Sequence, residues 1–289
     1  MFVSSSDGVQ VAVFDLGGSA REHLLISHAT GFHGPAYTPL ADALAARFNS
    51  ISFDFRGHGV TVTPSVGLRP PDGGRLDWRR YGDDAVAVAR SVRQRTDGAL
   101  VGFGHSMGGA ALLMAAHRDP SLFRLLVLFE PIVYPQQQEG PTERQSMITE
   151  VARRRRRTFD SYDAAIANFA AKPPLEAFPP DALEAYVRHG FAPGEDGKVH
   201  LRCSPETEAA TFEGSGGHDT WDLLPFIDLP VLVLAGKADE IGPAVFAPQV
   251  AERLPNGRFE EHPELDHFGP LTHPGEVAAL VADFADSVD

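Results

Sequence analysis

The sequence predicts an α/β fold class, a mostly parallel sheet covered by helices, and three observations carry it. Short β-rich apolar runs alternate with stretches of helical periodicity along most of the chain. A glycine-framed turn, Gly104-His105-Ser106-Met107-Gly108, stands between an apolar run and a run of helix formers. At 289 residues with 43% apolar content, the chain is long enough to bury a large α/β core.

The elements follow in order. Val9–Leu16, His23–Ser27, Ile51–Phe55, Ala99–Phe103, Leu125–Phe129 and Val231–Ala235 read as strands, and Arg258–His262 as a further one despite two adjacent glutamates. Helical periodicity marks Pro39–Arg47, Tyr81–Arg95, Met107–His117, Ala244–Leu254 and Glu276–Val288. The alternation breaks between Tyr134 and Trp221. That stretch is helical and polar over Thr142–Arg157, Ser161–Ala171 and Pro180–His189, with prolines at 173, 174, 179 and 180 and an exit through Gly214, Gly216 and Gly217. It is too long for an ordinary crossover. It reads as a helical cap, residues 134–221, inserted into a core made by residues 1–133 and 222–289. Its aromatics, Phe159, Tyr162, Phe169, Phe178, Tyr186 and Phe191, are expected to form the core of that cap.

Charge and cysteine content narrow the function classes. A formal net charge of −14 disfavours nucleic acid and anionic membranes, which repel an acidic surface. No stretch reaches the ~18 uncharged apolar residues of a membrane span. Met1–Asp7 lacks the basic-then-apolar order of a secretory signal. A single cysteine, Cys203, excludes an intrachain disulfide, and a reducing, cytoplasmic setting is the expectation. The run Arg153–Arg157 would spread around a helix rather than form a stripe, so it reads as a solvated helix neutralised by the acidic chain. Nothing in the sequence reports the oligomeric state.

The candidate chemistry starts at Ser106. A serine flanked at two residues on either side by glycine, between strand and helix, fits the G-x-S-x-G turn that raises a hydroxyl above a sheet edge. Such a hydroxyl needs a base oriented by a carboxylate. Position selects His267 among twelve histidines, since its loop follows the last strand and emerges at the same sheet edge. Asp239, directly after Val231–Ala235, is the favoured acid. Glu130, directly after Leu125–Phe129, competes for the role, and Asp266 ranks last because neighbouring side chains point apart. Two backbone N–H groups should face the developing oxyanion, and Met107 and Thr30 are the choices. Phe32 and His105 are expected to border the substrate. His262, Glu264 and His267 lack the spacing of a zinc site, and Gly102-x-Gly104 lacks the third glycine of a dinucleotide loop, so neither metal nor cofactor is expected.

Together these residues resemble the α/β-hydrolase fold superfamily over most of the chain outside the cap. Asp54-Phe55-Arg56-Gly57-His58-Gly59 looks like its D-x-R-G-H-G turn, Pro230–Gly236 with Asp239 like its acid-bearing strand, and His267-Phe268 like its base. The resemblance implies an eight-stranded sheet, a lid between the sixth strand and the following helix, and cofactor-free acyl chemistry; the expected substrate is a carboxylic ester or related acyl bond of a small apolar molecule. Two positions depart from the pattern: His28-Ala29 where many relatives have His-Gly, and Asp266 where glycine often precedes the histidine. Cofactor-independent C–C bond hydrolysis and peroxidation use the same three residue types, and a binding module without turnover is the reading from another class. A serine at 106 disfavours dehalogenase and epoxide hydrolase chemistry, for which the resemblance leads one to expect aspartate.

Overall fold

The computed structural model describes residues 1–61, 76–96, 98–135, 143–238 and 242–288. Eleven strands are formed by these residues: β1 (Phe2–Ser4), β2 (Gln10–Gly17), β3 (His23–Ser27), β4 (Asn49–Phe53), β5 (Leu100–His105), β6 (Phe123–Phe129), β7 (Thr158–Phe159), β8 (Phe191–Pro193), β9 (Val199–Leu201), β10 (Val231–Ala235) and β11 (Gly257–Glu261). The helices among them are α1 (Thr38–Ala43), α2 (Arg79–Arg93), α3 (Met107–Arg118), α4 (Glu143–Arg153), α5 (Tyr162–Phe169), α6 (Pro180–Gly190), α7 (Pro205–Gly214), α8 (Thr220–Leu223), α9 (Ala247–Arg253), α10 (Gly269–Thr272) and α11 (Pro274–Ser287).

Eight strands make one sheet in the order β1-β2-β4-β3-β5-β6-β10-β11. The pairings of β2 with β1 and β4 are antiparallel, and the rest are parallel. The carboxyl ends of β3, β4, β5, β6, β10 and β11 therefore share one edge. Helices cover both faces, so β5 and β10 are buried throughout, and β10 reads as an unbroken apolar run rather than an alternating one. On one face α2 and α3 pack Tyr81, Val88, Leu112 and Leu113 against Leu25, Phe53 and Leu126. On the other, Leu40 of α1 and Val277 and Val281 of α11 meet Leu24, Phe103 and Val127.

Sequence and structure differ where elements are short. The three-residue β1 has too little length for an alternating pattern to show. The stretch expected as one helix over Ala244–Leu254 starts as a 3₁₀ turn at Pro243–Phe246 and becomes α9 at Ala247. Between β6 and β10 the chain is not purely helical: β7, β9 and β8 form a small antiparallel sheet of two- and three-residue strands. The aromatic expectation there holds for Phe159, Phe178, Tyr186 and Phe191, which are buried.

The arginine run also differs from expectation. Helix α4 ends at Arg153, so the arginines beyond it follow no helical spread. Three of them reach glutamates of α7: Arg153 to Glu213, Arg155 to Glu208 and Arg157 to Glu206. Arg155 also bonds the Tyr186 hydroxyl, and Arg156 stacks on Phe159 at 4.2 Å. The run thus bonds the segment between β6 and β10 together, with Arg155 half-buried within it.

The loops at the working edge are held by buried polar groups. Asp54 accepts the Gly34 N–H at 2.8 Å and the Val60 N–H at 2.6 Å. Arg56 pairs with Asp84 at 2.6 Å, with both side chains almost fully buried. His28 accepts the Phe55 N–H at Nε2 and donates from Nδ1 to the Ala29 carbonyl, at 2.9 and 2.7 Å. Burial keeps this ring and that of His105 neutral well below the ordinary imidazole range. It likewise lowers His33 to about 3, and His58 and His218 to about 4.

Acid is therefore expected to destabilise this protein through its histidines. Below pH ~6.5 the unfolded chain takes protons that the five buried rings refuse. Asp54, raised by burial to about 6, works in the opposite direction with one proton. The histidine contribution is complete above the unfolded value near 6.5 and is lost as pH falls towards the folded values. With two or more net protons taken up on unfolding, chemical denaturation should lose about 2.7 kcal/mol or more between pH 6 and pH 5. A flat pH dependence over that interval would contradict buried, neutral histidines.

Candidate active site

Ser106 follows β5 directly and precedes α3, with φ 56° and ψ −114°. Positive φ is disfavoured for any residue with a Cβ, by roughly 1–3 kcal/mol where the surroundings enforce it. Here the surroundings do enforce it. The Ser106 N–H donates to the Phe129 carbonyl at 2.9 Å, and the Ser106 carbonyl accepts from the N–H groups of Ile132 and Gly109, each at 3.1 Å. The flanking glycines are steric requirements. A Cβ on Gly104 would lie 2.7 Å from Gly109 Cα, and one on Gly108 would collide with the Ser27 carbonyl of β3.

The neighbouring strand ends in the same way. Among the described residues, Glu130 is the other non-glycine residue with positive φ, at 45°. Its N–H donates to the Leu234 carbonyl of β10 at 2.9 Å, so it is pinned to the next strand as Ser106 is pinned to its own neighbour. The turn buries the carboxylate, 3% exposed, against His267. Oε2 accepts from His267 Nδ1 at 2.6 Å, and Oε1 accepts the Gly236 N–H at 3.0 Å.

The carboxylate bonded to His267 is thus that of Glu130, the residue ranked second from the sequence. Asp239 lies outside the described residues. Chain position could not separate the two, because β6 and β10 are adjacent parallel strands and each candidate follows one of them in the sequence. Asp266 is engaged elsewhere and accepts the Phe268 N–H at 2.8 Å. Its bond closes the turn that presents His267. Gly236 admits that turn closely, since a Cβ there would meet the Leu265 carbonyl.

His267 and Ser106 line one cavity of about 420 Å³. With Nδ1 bonded to Glu130, Nε2 is the nitrogen left for this cavity. Among the described residues no hydrogen bond joins it to the Ser106 hydroxyl, a contact that often forms only with substrate bound. Thr30 and Phe32 are also in the lining, as expected. His105 is not. Its ring is fully buried and spent on Tyr37 and the His267 carbonyl, because a residue before the elbow serine still belongs to β5 and points away from the cleft.

Thr30 and Met107, the residues expected to supply the oxyanion donors, touch through their side chains across the elbow. The Thr30 hydroxyl contacts Met107 Sδ at 3.5 Å, and Met107 opens α3, where the first backbone N–H groups have no intrahelical partner. Neither the Thr30 nor the Met107 N–H donates to a described residue. The helix N-terminus adds partial positive charge at this point. Apolar side chains dominate the remaining wall: Ile132, Ile148, Phe212, Val245, Phe246 and Phe268. Ile148 and Phe212 come from the segment between β6 and β10, which therefore helps to close the cavity.

Comparison with known proteins identifies the family. A family model described as the alpha/beta hydrolase family matches residues 24–280. The chain is 24% identical to 2-(acetamidomethylene)succinate hydrolase of Mesorhizobium japonicum, over 91% of this chain and 88% of that one. It is 27% identical to a non-heme chloroperoxidase of Streptomyces lividans, over 94% of each. The crystal structure of E-2-(acetamidomethylene)succinate hydrolase superposes with a TM-score of 0.79 at 23% identity, covering 99% of this chain and 98% of that one. With its eight-stranded sheet, its strained serine turn and a family match across most of its length, this chain belongs to the alpha/beta hydrolase family.

Proposed function

We propose that this hydrolase cleaves a carboxylic ester or related acyl bond of a small apolar molecule through an acyl-enzyme on Ser106. One observation carries the reading: a buried carboxylate on Nδ1 of an imidazole that shares its cavity with a serine in an elbow conformation. The Glu130 bond holds His267 in the Nδ1–H tautomer, which leaves Nε2 basic towards Ser106. His267 takes the hydroxyl proton as Ser106 attacks the carbonyl carbon, and Glu130 stabilises the imidazolium that forms. The N–H groups of Thr30 and Met107 bond the tetrahedral oxyanion. His267 then gives its proton to the leaving alkoxide, and in the second half it activates water to release the acid. The apolar wall fits an apolar substrate, and the inserted segment acts as a cap that excludes water.

Likeness to a non-heme chloroperoxidase favours a second reading, in which hydrogen peroxide replaces water in the second half to give a peracid. Assaying each accepted ester with and without peroxide separates the two.

Against p-nitrophenyl esters of graded acyl length, Ser106→Ala should lower kcat by about 10³-fold or more. Retained turnover in that variant would rule out the acyl-enzyme. Glu130→Gln should cost about 10²–10⁴-fold, through loss of the correct tautomer and of charge, whereas Asp239→Ala should stay within about threefold. The reverse ranking would return the acid role to Asp239.

A further inference from the structure

One buried hydrogen-bond chain touches no reacting atom yet links three parts of the proposed site. His105 Nε2 lies 2.8 Å from the His267 carbonyl, and His105 Nδ1 lies 2.7 Å from the Tyr37 hydroxyl. The Tyr37 oxygen in turn accepts the Ala29 N–H at 3.1 Å. Directions follow from a single constraint. A carbonyl only accepts, so His105 carries its proton on Nε2. Its Nδ1 must then accept from the Tyr37 O–H, whose oxygen is free to accept from Ala29. Both side chains are fully buried, and an apolar pair would fill the same space without the desolvation cost. What polar groups add is direction: a completed network fixes one arrangement of the backbones it joins.

Those backbones are the relevant ones. Ala29 precedes Thr30 in the loop after β3. His105 is the last residue of β5, directly before Ser106. The accepting carbonyl belongs to His267 itself, whose ring lies 5.0 Å from the His105 ring. From the other side, Glu208 of the inserted segment lies against Gly31, so the same loop is held on both faces.

We infer that Tyr37 and His105 are positioning residues, a neutral strut that fixes the distance between the Thr30 amide and the His267 imidazole on either side of Ser106. This rests on the acyl-transfer reading above. A displacement of about 1 Å between reacting groups can cost about 100-fold in rate. A strut of this kind should therefore be read in kcat rather than in KM.

Three variants test it: Tyr37→Phe, His105→Phe and His105→Gln. The glutamine amide nitrogen occupies the place of imidazole Nε2 and keeps the donor to the His267 carbonyl. Expected are kcat losses of about 10–100-fold for both phenylalanine variants with KM within about threefold, and a smaller loss for His105→Gln than for His105→Phe, since glutamine keeps the His267 bond but not the acceptor for Tyr37. A readout independent of turnover is the low-field proton NMR signal of His267 Nδ1–H in its bond to Glu130. This signal should shift in His105→Phe, and return to its wild-type position in His105→Gln. Wild-type kcat and an unmoved signal in both phenylalanine variants would overturn the strut. So would a glutamine variant whose His267 signal is displaced as far as that of His105→Phe. If Ser106→Ala still turns over ester, the acyl-transfer reading falls, and the NMR signal alone decides whether the strut orients His267.

Discussion

Two adjacent parallel strands, β5 and β6, are each followed by a residue forced into positive φ, and the rest of the site depends on that shared constraint. Ser106 and Glu130 are turned out of the sheet at its carboxyl edge, and backbone bonds across three strands keep them there. Ser106 is bonded to Phe129 and Ile132 on either side of Glu130, and Glu130 is bonded to Leu234. Relaxing either residue would break a ladder that runs through the centre of the sheet. The strain of a few kcal/mol is therefore sustained by the fold and is present before any substrate arrives.

From that edge the remaining geometry follows by polar satisfaction. A carboxylate buried as deeply as Glu130 must have both oxygens bonded, and His267 and Gly236 supply the two donors. Gly236 has no side chain to obstruct the His267 loop, so the imidazole can approach. On the opposite side, His28, Asp54 and Tyr37 bond the loop that carries Thr30. In both cases loops that would otherwise move are fixed by buried donors and acceptors, while the substrate space between them stays largely apolar.

Much of this could be read from residue order, and the unread parts share a physical cause. Long buried strands announce themselves, as Leu125–Phe129 and Val231–Ala235 do, because burial on both faces demands apolar side chains. The elbow is equally plain, since only glycine fits at 104 and 108. The small β7-β9-β8 sheet is too short to impose a period. Glu130 reaches His267 Nδ1 from a turn of positive φ after β6, and a glutamate in sequence gives no sign that its φ will be positive. The burial of His105 was hidden for a related reason: its place in the motif suggests proximity to chemistry, whereas strand alternation sends its ring beneath the serine.

The most direct measurement is a crystal structure of the protein after reaction with a fluorophosphonate, which freezes a tetrahedral mimic of the oxyanion state. The account predicts phosphorus bonded to Ser106 Oγ, a phosphoryl oxygen about 2.7–3.1 Å from both the Thr30 and Met107 nitrogens, and His267 Nδ1 still on Glu130. Phosphorus on another residue, or a phosphoryl oxygen facing away from these two amides, would contradict it.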